Sequence, residues 1–547
     1  MKKITFSFLF ILTVICSSIS FGQTTRYLDP VFDDTEITET KNIVYATNFS
    51  VALGTPIPTG TSNIPVGADT TIVGADTTIT PILFNMPALE MDIFEPTTDS
   101  VTERPLIIYL HTGTFAPIFR NGNATGSRTF DWATQKFCME YAKRGYVVAN
   151  TDYRYGWNPR LPTEPERATS LIKAAYRGIQ DVKAAIRFLR KDYEMGGNTY
   201  GIDTSRIILC GQGTGGWIAT CLNSLDTLVE LELPKFLDAV TSMPLLDTAI
   251  EGDWFGYGGS ATNNIENHKG YSSDHDMVLN MGGAIGDLSW LEAGDKPIAA
   301  VHGNLDAVAR FTTGNLTTTG VNVVSNISGS HDVVAKANML GNNNSIPNLY
   351  DPYTVAAKRA SNNLIGTADF SGDTITASVD NLFPFNTGNP GEGAPWDFWD
   401  SATILQLAIG AFGQTVGPVQ ANAALASSLQ TNPNMSMNKA MAYVDSTLGF
   451  FCPRIVNTLM LPGNSVGIID VKMDVNIYPN PSNDFITINS STNISLISIF
   501  NNNGVLMGQF KPNRFTCNLD LRSYAKGFYY AEISNASSTK TEKFVLK

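Results

Sequence analysis

The pattern of apolar and polar residues divides the chain into three regions. Residues 23–84 alternate apolar and polar positions between turn-forming residues, and they contain the unit VGADTTI twice in tandem. From 85 to 462, continuous apolar runs alternate with stretches of helical spacing, and from 463 to 547 short alternating runs return between Asn and Gly residues. The pattern predicts an N-terminal β/loop arm, a large α/β domain and a small all-β sandwich that follows a linker.

The central region predicts a mostly parallel, doubly wound sheet, because strand-like and helix-like segments alternate along it. Strands are predicted where apolar residues run without interruption: Pro105–Leu110, Gly145–Asn150, Ser205–Cys210, Met277–Asn280 and Pro297–Val301. Helical spacing is found at Phe130–Arg144, Ala174–Lys191 and Gly215–Leu225, and over much of Trp396–Leu461. Residues 226–276 and 340–390 are rich in Asn, Gly and Thr, so we expect insertions there rather than core.

Composition narrows the classes of function. The chain has 547 residues, enough for two or three domains, and a formal net charge of −13 with no basic stripe, so nucleic acid is not an expected partner. The six cysteines are too sparse to predict a disulfide framework. No cofactor is predicted. Two histidines in the first insertion show a weak metal-like spacing, for which a solvated loop is the favoured interpretation.

The first 22 residues predict a secretory signal. Lys2 and Lys3 precede an apolar run from Phe6 to Cys16, and small residues stand at the −3 and −1 positions of a cut before Gln23. A membrane anchor is the alternative, but the run is too short to span a bilayer. No later segment is expected to span a membrane, so we predict a protein that is secreted or displayed at the cell surface.

The C-terminal region resembles the sorting domain of the bacterial type IX secretion system. The similarity lies in YPNP at Tyr478–Pro481, a turn at Gly504, GFY at Gly527–Tyr529 and a closing basic strand with Lys543. The resemblance implies that residues 470–547 engage the type IX secretion machinery and direct export across the outer membrane of a Bacteroidetes-type bacterium. A carbohydrate-binding sandwich is the alternative interpretation of this region.

One short segment raises the main question about chemistry. The sequence LCGQGTGGW, Leu209–Trp217, lies between a predicted strand and a predicted helix, where a serine hydrolase places its nucleophile in the pattern G-x-S-x-G. Gly211 and Gly215 fit this frame, but the nucleophile position holds Gly213. No acyl-enzyme can form on glycine, although glycine adopts the strained backbone angles of such a turn without a Cβ clash.

From about residue 91 to 455 the chain resembles secreted carboxylesterase-like α/β-hydrolases. The matching segments occur in the family's order. They are HTG at His111–Gly113, DYR at Asp152–Arg154, the helix and strand before the turn at Gln180–Leu209, and DKPIAAVHGNLDAVAR at Asp295–Arg310. The resemblance implies an α/β-hydrolase fold with an oxyanion-binding loop after the third strand.

The resemblance also implies that Asp306 retains the acid position of the catalytic triad, while Gly213 leaves the nucleophile position vacant. An aspartate that caps a turn after a strand is the alternative interpretation of Asp306. Thr214 is an alternate nucleophile, but it begins the helix, where one step turns a side chain by about 100° away from the pocket axis.

The triad base is not evident among the five histidines. The family's imidazole lies on a loop before the closing helices, and the matching stretch GEGAPWDFW has Gly393 and Ala394 there. His331 follows Asp306 at a spacing that some esterases show and is the alternate base, although its surroundings predict the start of a helix. The other histidines are expected at structural positions: His302 at the end of a core strand, His111 in the oxyanion loop, and His268 and His275 in an insertion.

An electrostatic cradle is expected to remain even without a nucleophile. Backbone N–H groups of Gly113 or Thr114 and of Thr214, with His111 shaping the loop, can bind a carbonyl oxygen at a helix N-terminus. The favoured hypothesis is a non-catalytic binding or surface protein that takes a small ester or carbonyl ligand. The alternatives are an active carboxylic ester hydrolase with a rearranged triad (Thr214 or another hydroxyl, His331, Asp306), and an adhesin that uses the hydrolase fold as a module.

Overall fold

The structure is a computed structural model that describes residues 26–51, 84–85, 87–119, 121–158, 161, 163–261, 263–318, 321–462, 475–502, 504–535 and 539–547. The predicted signal, residues 1–22, and the tandem repeat lie outside the described residues. The predicted N-terminal arm, 23–84, is described only in part.

The strands are β1 (Ile37–Thr47), β2 (Ser50–Val51), β3 (Phe84–Asn85), β4 (Ala88–Pro96), β5 (Arg104–Leu110), β6 (Val147–Thr151), β7 (Ile202–Gln212), β8 (Met277–Met281), β9 (Ala284–Ile285), β10 (Ile298–Gly303), β11 (Thr313–Thr318), β12 (Val321–Gly329), β13 (Leu382–Phe385), β14 (Val475–Tyr478), β15 (Phe485–Ile494), β16 (Leu496–Asn501), β17 (Leu506–Phe510), β18 (Arg514–Asp520), β19 (Gly527–Ser534) and β20 (Thr539–Leu546). The helices are α1 (Trp132–Lys143), α2 (Glu164–Met195), α3 (Thr214–Ser224), α4 (Thr248–Glu251), α5 (Ser330–Leu340), α6 (Pro352–Leu364), α7 (Ser401–Thr431) and α8 (Met437–Thr458).

The central sheet has eight strands in the order β1-β4-β6-β5-β7-β8-β10-β13. The β1–β4 and β4–β6 pairs are antiparallel, and the strands from β6 to β13 run parallel. β5 is buried over its whole length, which is typical of a parallel strand covered on both faces. This is the mostly parallel, doubly wound sheet that the alternation of strands and helices predicted.

Helices cover both faces of the sheet. Leu106, Ile108 and Leu110 of β5 pack into the core beneath α2 and α3, and Ile107 and Tyr109 pack into the core beneath α1 and α8. The separation follows from the two-residue period of a strand. α2 begins earlier than its apolar spacing predicted, because a capping box closes its first turn.

The two expected insertions both contribute to the core, which corrects the sequence-based interpretation. Leu231, Phe236 and Leu246, within 226–276, are buried in the main apolar cluster. Within 340–390, β13 supplies the last strand of the central sheet and pairs parallel with β10. The polar composition of both regions belongs to the loops around these apolar anchors.

α7 is the one described helix that is long and apolar enough, by length and composition alone, to cross a membrane. The expectation that no such segment follows the signal was therefore wrong on length and composition. The backbone breaks at Gly413 (φ 78°, ψ 172°), so neither half reaches the roughly 20 residues that a span requires. The halves meet at Gly417, where an ideal Cβ would lie 2.6 Å from the Cα of Ile409.

The C-terminal region is all-β, as the alternating pattern predicted. β14, β15 and β18 form one antiparallel sheet, and β17, β16, β19 and β20 form another. Residues such as Ile488, Ile499 and Ala531 are buried in a cluster of their own, because alternate residues of each strand face inward.

Candidate functional site

Gly213 stands at the turn between β7 and α3, at the carboxyl edge of the parallel strands. Its backbone angles are φ 52° and ψ −112°, a region in which a residue with a Cβ is strained. Its N–H donates to the carbonyl of Met281, at the end of β8, at 2.8 Å. The strand ends at Gln212 and the helix begins at Thr214, so Gly213 occupies the tip of the turn.

The space beside Gly213 is taken by a hydroxyl from the neighbouring loop. An ideal Cβ built on Gly213 would overlap Thr112 Oγ1 and lie 3.2 Å from Thr112 Cβ. Thr112 follows β5, which pairs directly with β7 in the sheet. The sequence pattern alone did not single out Thr112. The available signal was its place between His111 and Gly113 in the oxyanion loop.

The oxyanion loop has a strained backbone, and one of its N–H donors already has a hydrogen-bond partner within the protein. Gly113, Thr114 and Phe115 have positive φ values of 134°, 50° and 52°, and such angles cost a non-glycine residue about 1–3 kcal/mol. The Thr114 N–H, which we expected to face a ligand, donates instead to Thr214 Oγ1 at 2.7 Å. The Thr214 hydroxyl therefore binds one of the donors that a carbonyl oxygen would use.

His111 anchors the base of this loop. Its buried ring stacks on Tyr153 with centroids 4.7 Å apart, Nε2 donates to Asp152 Oδ1 at 3.1 Å, and Nδ1 donates to the Thr112 carbonyl. Arg128 Nε donates to the second oxygen of Asp152 at 2.9 Å. Burial opposes the charged ring, but the hydrogen bond and charge of Asp152 outweigh it and raise the pKa of His111. His111 therefore holds the loop from below through both of its ring nitrogens.

A cavity of about 420 Å³ extends from the turn into the fold. Its polar end includes Thr112, Thr114, Gly213, Asp306 and Asp397. Apolar side chains form the deeper wall, among them Leu171, Ile179, Trp217, Phe236, Trp290 and Leu316. Within the described part of the chain, no lysine, arginine or histidine lines this cavity. The site therefore suits a ligand with a large apolar part and no negative charge.

Asp306 follows β10, and one of its carboxylate oxygens forms hydrogen bonds with the backbone of its own loop. Its Oδ1 accepts the N–H groups of Val308 and Ala309 at 2.7 and 3.0 Å. Its Oδ2 lies 3.6 Å from Nε2 of His302, whose Nδ1 is 2.7 Å from Ser330 Oγ. His302 and Ser330 are fully buried, so this histidine is enclosed in the core.

At the position expected for the triad base, the carboxylate of Asp306 leaves no space for a side chain. An ideal Cβ on Gly393 would overlap the carboxylate of Asp306, so an imidazole at 393 requires the backbone to move. The N–H groups of Gly393 and Ala394 donate to the Thr431 carbonyl at 3.0 and 3.2 Å. Gly393 and Ala394 both line the cavity.

The structure does not bring His331 to the cavity. Its Nδ1 lies 2.7 Å from Asp332 Oδ1 and its Nε2 lies 3.2 Å from the Ala377 carbonyl. Both ring nitrogens are thus engaged at the start of α5. The alternate triad of Thr214, His331 and Asp306 is not assembled.

The two histidines of the first insertion have separate structural partners. His268 Nε2 lies 2.6 Å from the Tyr45 carbonyl, and His275 Nε2 lies 3.0 Å from Asn223 Oδ1. Burial lowers the pKa of His275 to about 3. Over the described ranges, no group of three or more His, Cys, Asp or Glu side chains is arranged to hold a metal ion.

A buried carboxyl that the sequence analysis missed, Asp397, lines the cavity. Gln212 Nε2 donates to its Oδ1 at 2.7 Å, and Gln212 Oε1 accepts from the Tyr109 hydroxyl at 3.2 Å. Burial, with a contribution from the charge of Asp131, raises the pKa of Asp397 to about 8. The only sequence signal was its place in GEGAPWDFW, next to the expected base position.

Comparison with known families accounts for both parts of the chain. Residues 91–316 match the family model BD-FAE, and residues 476–547 match the model of the secretion system C-terminal sorting domain. The chain joins an esterase-like α/β-hydrolase domain to a type IX sorting domain. Both resemblances and the predicted fold class are confirmed. The sorting domain indicates export by type IX secretion to the cell surface or the medium.

Similar solved structures include esterases of low sequence identity. A thermophilic esterase from the planctomycete Thermogutta terrifontis is 14% identical, with a TM-score of 0.30 over 68% of this chain and 95% of that one. A truncated carbohydrate esterase from gut microbiota is 18% identical, with a TM-score of 0.27 over 51% of this chain and 81% of that one.

A bifunctional GH43-CE protein from Bacteroides eggerthii is 18% identical, with a TM-score of 0.26 over 40% of this chain, and the chain spans only 27% of its length. All of these TM-scores are too low to carry a functional inference. No curated protein matches the chain.

Proposed function

We propose that the hydrolase-fold domain of this secreted protein is a non-catalytic binding domain for a small, largely apolar ester or carbonyl compound. One observation carries the proposal: Gly213 has no side chain, and Thr112 Oγ1 fills the adjoining space. Acyl transfer through a triad needs a hydroxyl and a base that takes its proton. No histidine of the described residues lines the cavity.

Two further contacts support a binding role. The Thr214 hydroxyl accepts the Thr114 N–H at 2.7 Å, so one oxyanion donor is already occupied. A Cβ added to Gly393 would overlap the Asp306 carboxylate, so there is no room for an imidazole at this position. Among the described residues, neither a serine nor a histidine lines the cavity.

We expect no useful turnover of p-nitrophenyl butyrate by the purified chain. Oxyanion donors and binding alone leave at most about 10³–10⁴-fold acceleration over water in the best-studied triad enzymes. Two measurements test this expectation: the rate of ester hydrolysis and covalent labelling by an organophosphonate probe. Rapid turnover together with a labelled hydroxyl at the cavity would contradict a non-catalytic function.

An active ester hydrolase with a relocated hydroxyl is the second candidate, and the position of Thr112 Oγ1 favours it. Thr112→Val and Thr214→Val form a matched pair of substitutions that remove one hydroxyl each and keep a β-branched side chain. Turnover that is lost in Thr112→Val and kept in Thr214→Val would favour this candidate. The alternate base His331 gives it no support, because both of its ring nitrogens are engaged elsewhere.

A further inference from the structure

The cavity beside Gly213 has a largely apolar wall, and among the described residues no cation lines it.

Asp397 lies next to Trp396 in the chain and lines the same cavity. The residue is only 5% exposed. Gln212 Nε2 donates to Oδ1, and Asn432 Nδ2 donates to the backbone carbonyl of Asp397 at 2.7 Å. No described residue forms a hydrogen bond with Oδ2. The carboxyl is thus held by one oxygen, and the other is free for a ligand.

The charged groups around Asp397 provide no counter-ion. Asp131, at the start of α1, is a second buried carboxyl that opposes ionisation of Asp397, and Asp306 lines the same cavity. Lys439 reaches the neighbouring segment, but it is paired with Glu392 and donates to Asn432 Oδ1 at 2.8 Å. Burial without a counter-ion explains why the pKa of Asp397 is raised to about 8. Below this pKa the carboxyl is protonated and can donate a hydrogen bond.

We propose that the Asp397 carboxyl donates a hydrogen bond to the carbonyl oxygen of an uncharged, largely apolar ketone or ester bound in this cavity. The inference rests on the proposed binding function and adds the residue that binds the carbonyl oxygen of the ligand. A carboxylate ligand would meet two carboxyl side chains, Asp306 and Asp397, and no cation. An ammonium ligand would have to leave water for a cavity with a largely apolar wall.

The test uses 2-decanone, which cannot be hydrolysed, and follows the tryptophan fluorescence of the full-length chain from about pH 6 to about pH 10. Trp157, Trp217, Trp290 and Trp396 line the cavity and report on its occupancy. Above the pKa of Asp397, about 8, ketone affinity should fall by up to about tenfold per pH unit, because the ionised carboxylate cannot donate. Decane, which has no acceptor, should bind without this pH dependence.

Two variants separate the role of Asp397 from general effects of pH. Asp397→Asn keeps an N–H donor but cannot ionise, so its ketone affinity should stay constant across the range. Asp369→Asn is the matched control, because Asp369 is a buried carboxyl outside the cavity lining that accepts from Thr312 Oγ1 at 2.7 Å. It should keep the pH dependence of the unmodified chain. If Asp397→Asn fails to fold, the pH dependence of 2-decanone affinity in the unmodified chain tests the inference by itself.

Each contrary outcome identifies a different error. If the unmodified chain binds the ketone with equal affinity at all pH values, Asp397 is not the donor and the binding function stands. If decylamine binds, and binds more tightly as the pH rises through about 8, the ligand class is cationic and the inference is overturned. If neither 2-decanone, decane nor decylamine binds, the proposed binding function itself fails.

Discussion

Thr112 and Thr214 determine what the turn at Gly213 can do. The first places a hydroxyl in the space that a serine Cβ would occupy. The second accepts the N–H of Thr114, which would otherwise be available to a carbonyl oxygen. Acyl transfer needs a nucleophile side chain in the first position and a free N–H donor in the second. The two threonine hydroxyls occupy both. Restoring catalysis therefore requires more than returning one serine.

Gly213→Ser combined with Ala394→His should give ester hydrolysis only when Thr112→Ala is also present. The new serine would overlap Thr112 Oγ1, and nucleophile and base act as a unit, so the gain should be strongly non-additive. The measurement is kcat/KM on p-nitrophenyl acetate for every combination. Gly213→Ala adds the same Cβ without a hydroxyl and is the control.

Thermal melts of the same variants measure the stability cost of a side chain at position 213. A side chain at the φ of 52° found for Gly213 should cost about 1–3 kcal/mol of stability, and Gly213→Ala should show the same loss as Gly213→Ser. High activity from Gly213→Ser alone would show that a working base is already present near the turn.

Asp397 should make the stability of the fold depend on pH. Its pKa rises from 3.8 to about 8 on folding, so the folded state holds this proton more tightly than the unfolded chain. The stabilisation is fully present below the unfolded pKa and is lost progressively as the pH rises to about 8. Asp397→Asn removes this loss, so its Tm relative to the unmodified chain should increase between pH 5 and pH 8. A Tm difference that stays constant over that range would contradict the pKa assignment.

At the scale of elements, α7 links two loops that border the cavity. The carbonyl of Thr431, its last residue, accepts the N–H groups of Gly393 and Ala394. Ser428 Oγ accepts the N–H of Ala124 at 2.8 Å. The bend at Gly413 lets the first half of α7 fold back on the second, so the packing within α7 supports both loops.

Two glycines of α7 should respond to alanine in opposite ways. At Gly417 a Cβ would lie 2.6 Å from Ile409 Cα and 2.8 Å from the Ala408 carbonyl, so Gly417→Ala should destabilise by about 1–3 kcal/mol. At Gly410 nothing lies within 4 Å, so Gly410→Ala should stabilise by up to about 1 kcal/mol. Denaturant unfolding measures both. Equal effects of the two substitutions would mean that the halves of α7 do not pack as described.

At the scale of the whole molecule, the hydrolase-fold domain and the sorting domain have separate cores. The two apolar clusters on the faces of the central sheet contain no residue beyond Leu461, and the cluster of the β-domain runs from Ile486 to Leu546. Each domain therefore buries enough apolar surface of its own to be treated as a folding unit.

Deletion of residues 470–547 should leave a folded hydrolase-fold domain that stays in the periplasm. The reason is that the export signal read by the type IX machinery lies in the sorting domain, whereas the central core loses none of its members. Cell fractionation measures where the truncated chain is located, and a thermal melt measures whether it is folded. Normal surface delivery of the truncated chain would contradict the export role, and an unfolded product would contradict the independence of the domains.

The sequence by itself determined the kind of fold and five strands of the central sheet. Continuous apolar runs marked β5, β6, β7, β8 and β10, and alternating runs marked the β-domain, because burial imposes a period that is visible in any single segment. The turn at Gly213, the missing serine and the sorting motif were also legible, since each depends on a few consecutive residues.

Only the tertiary structure decided what surrounds Gly213. Thr114 meets Thr214 across 100 positions of sequence, and Gln212 meets Asp397 across 185. Whether such residues touch depends on strand order and on the path of the closing segment, neither of which leaves a local pattern. The same holds for Asp397, because its raised pKa comes from burial and from the charge of Asp131, and burial of a single polar side chain is a property of the folded chain as a whole.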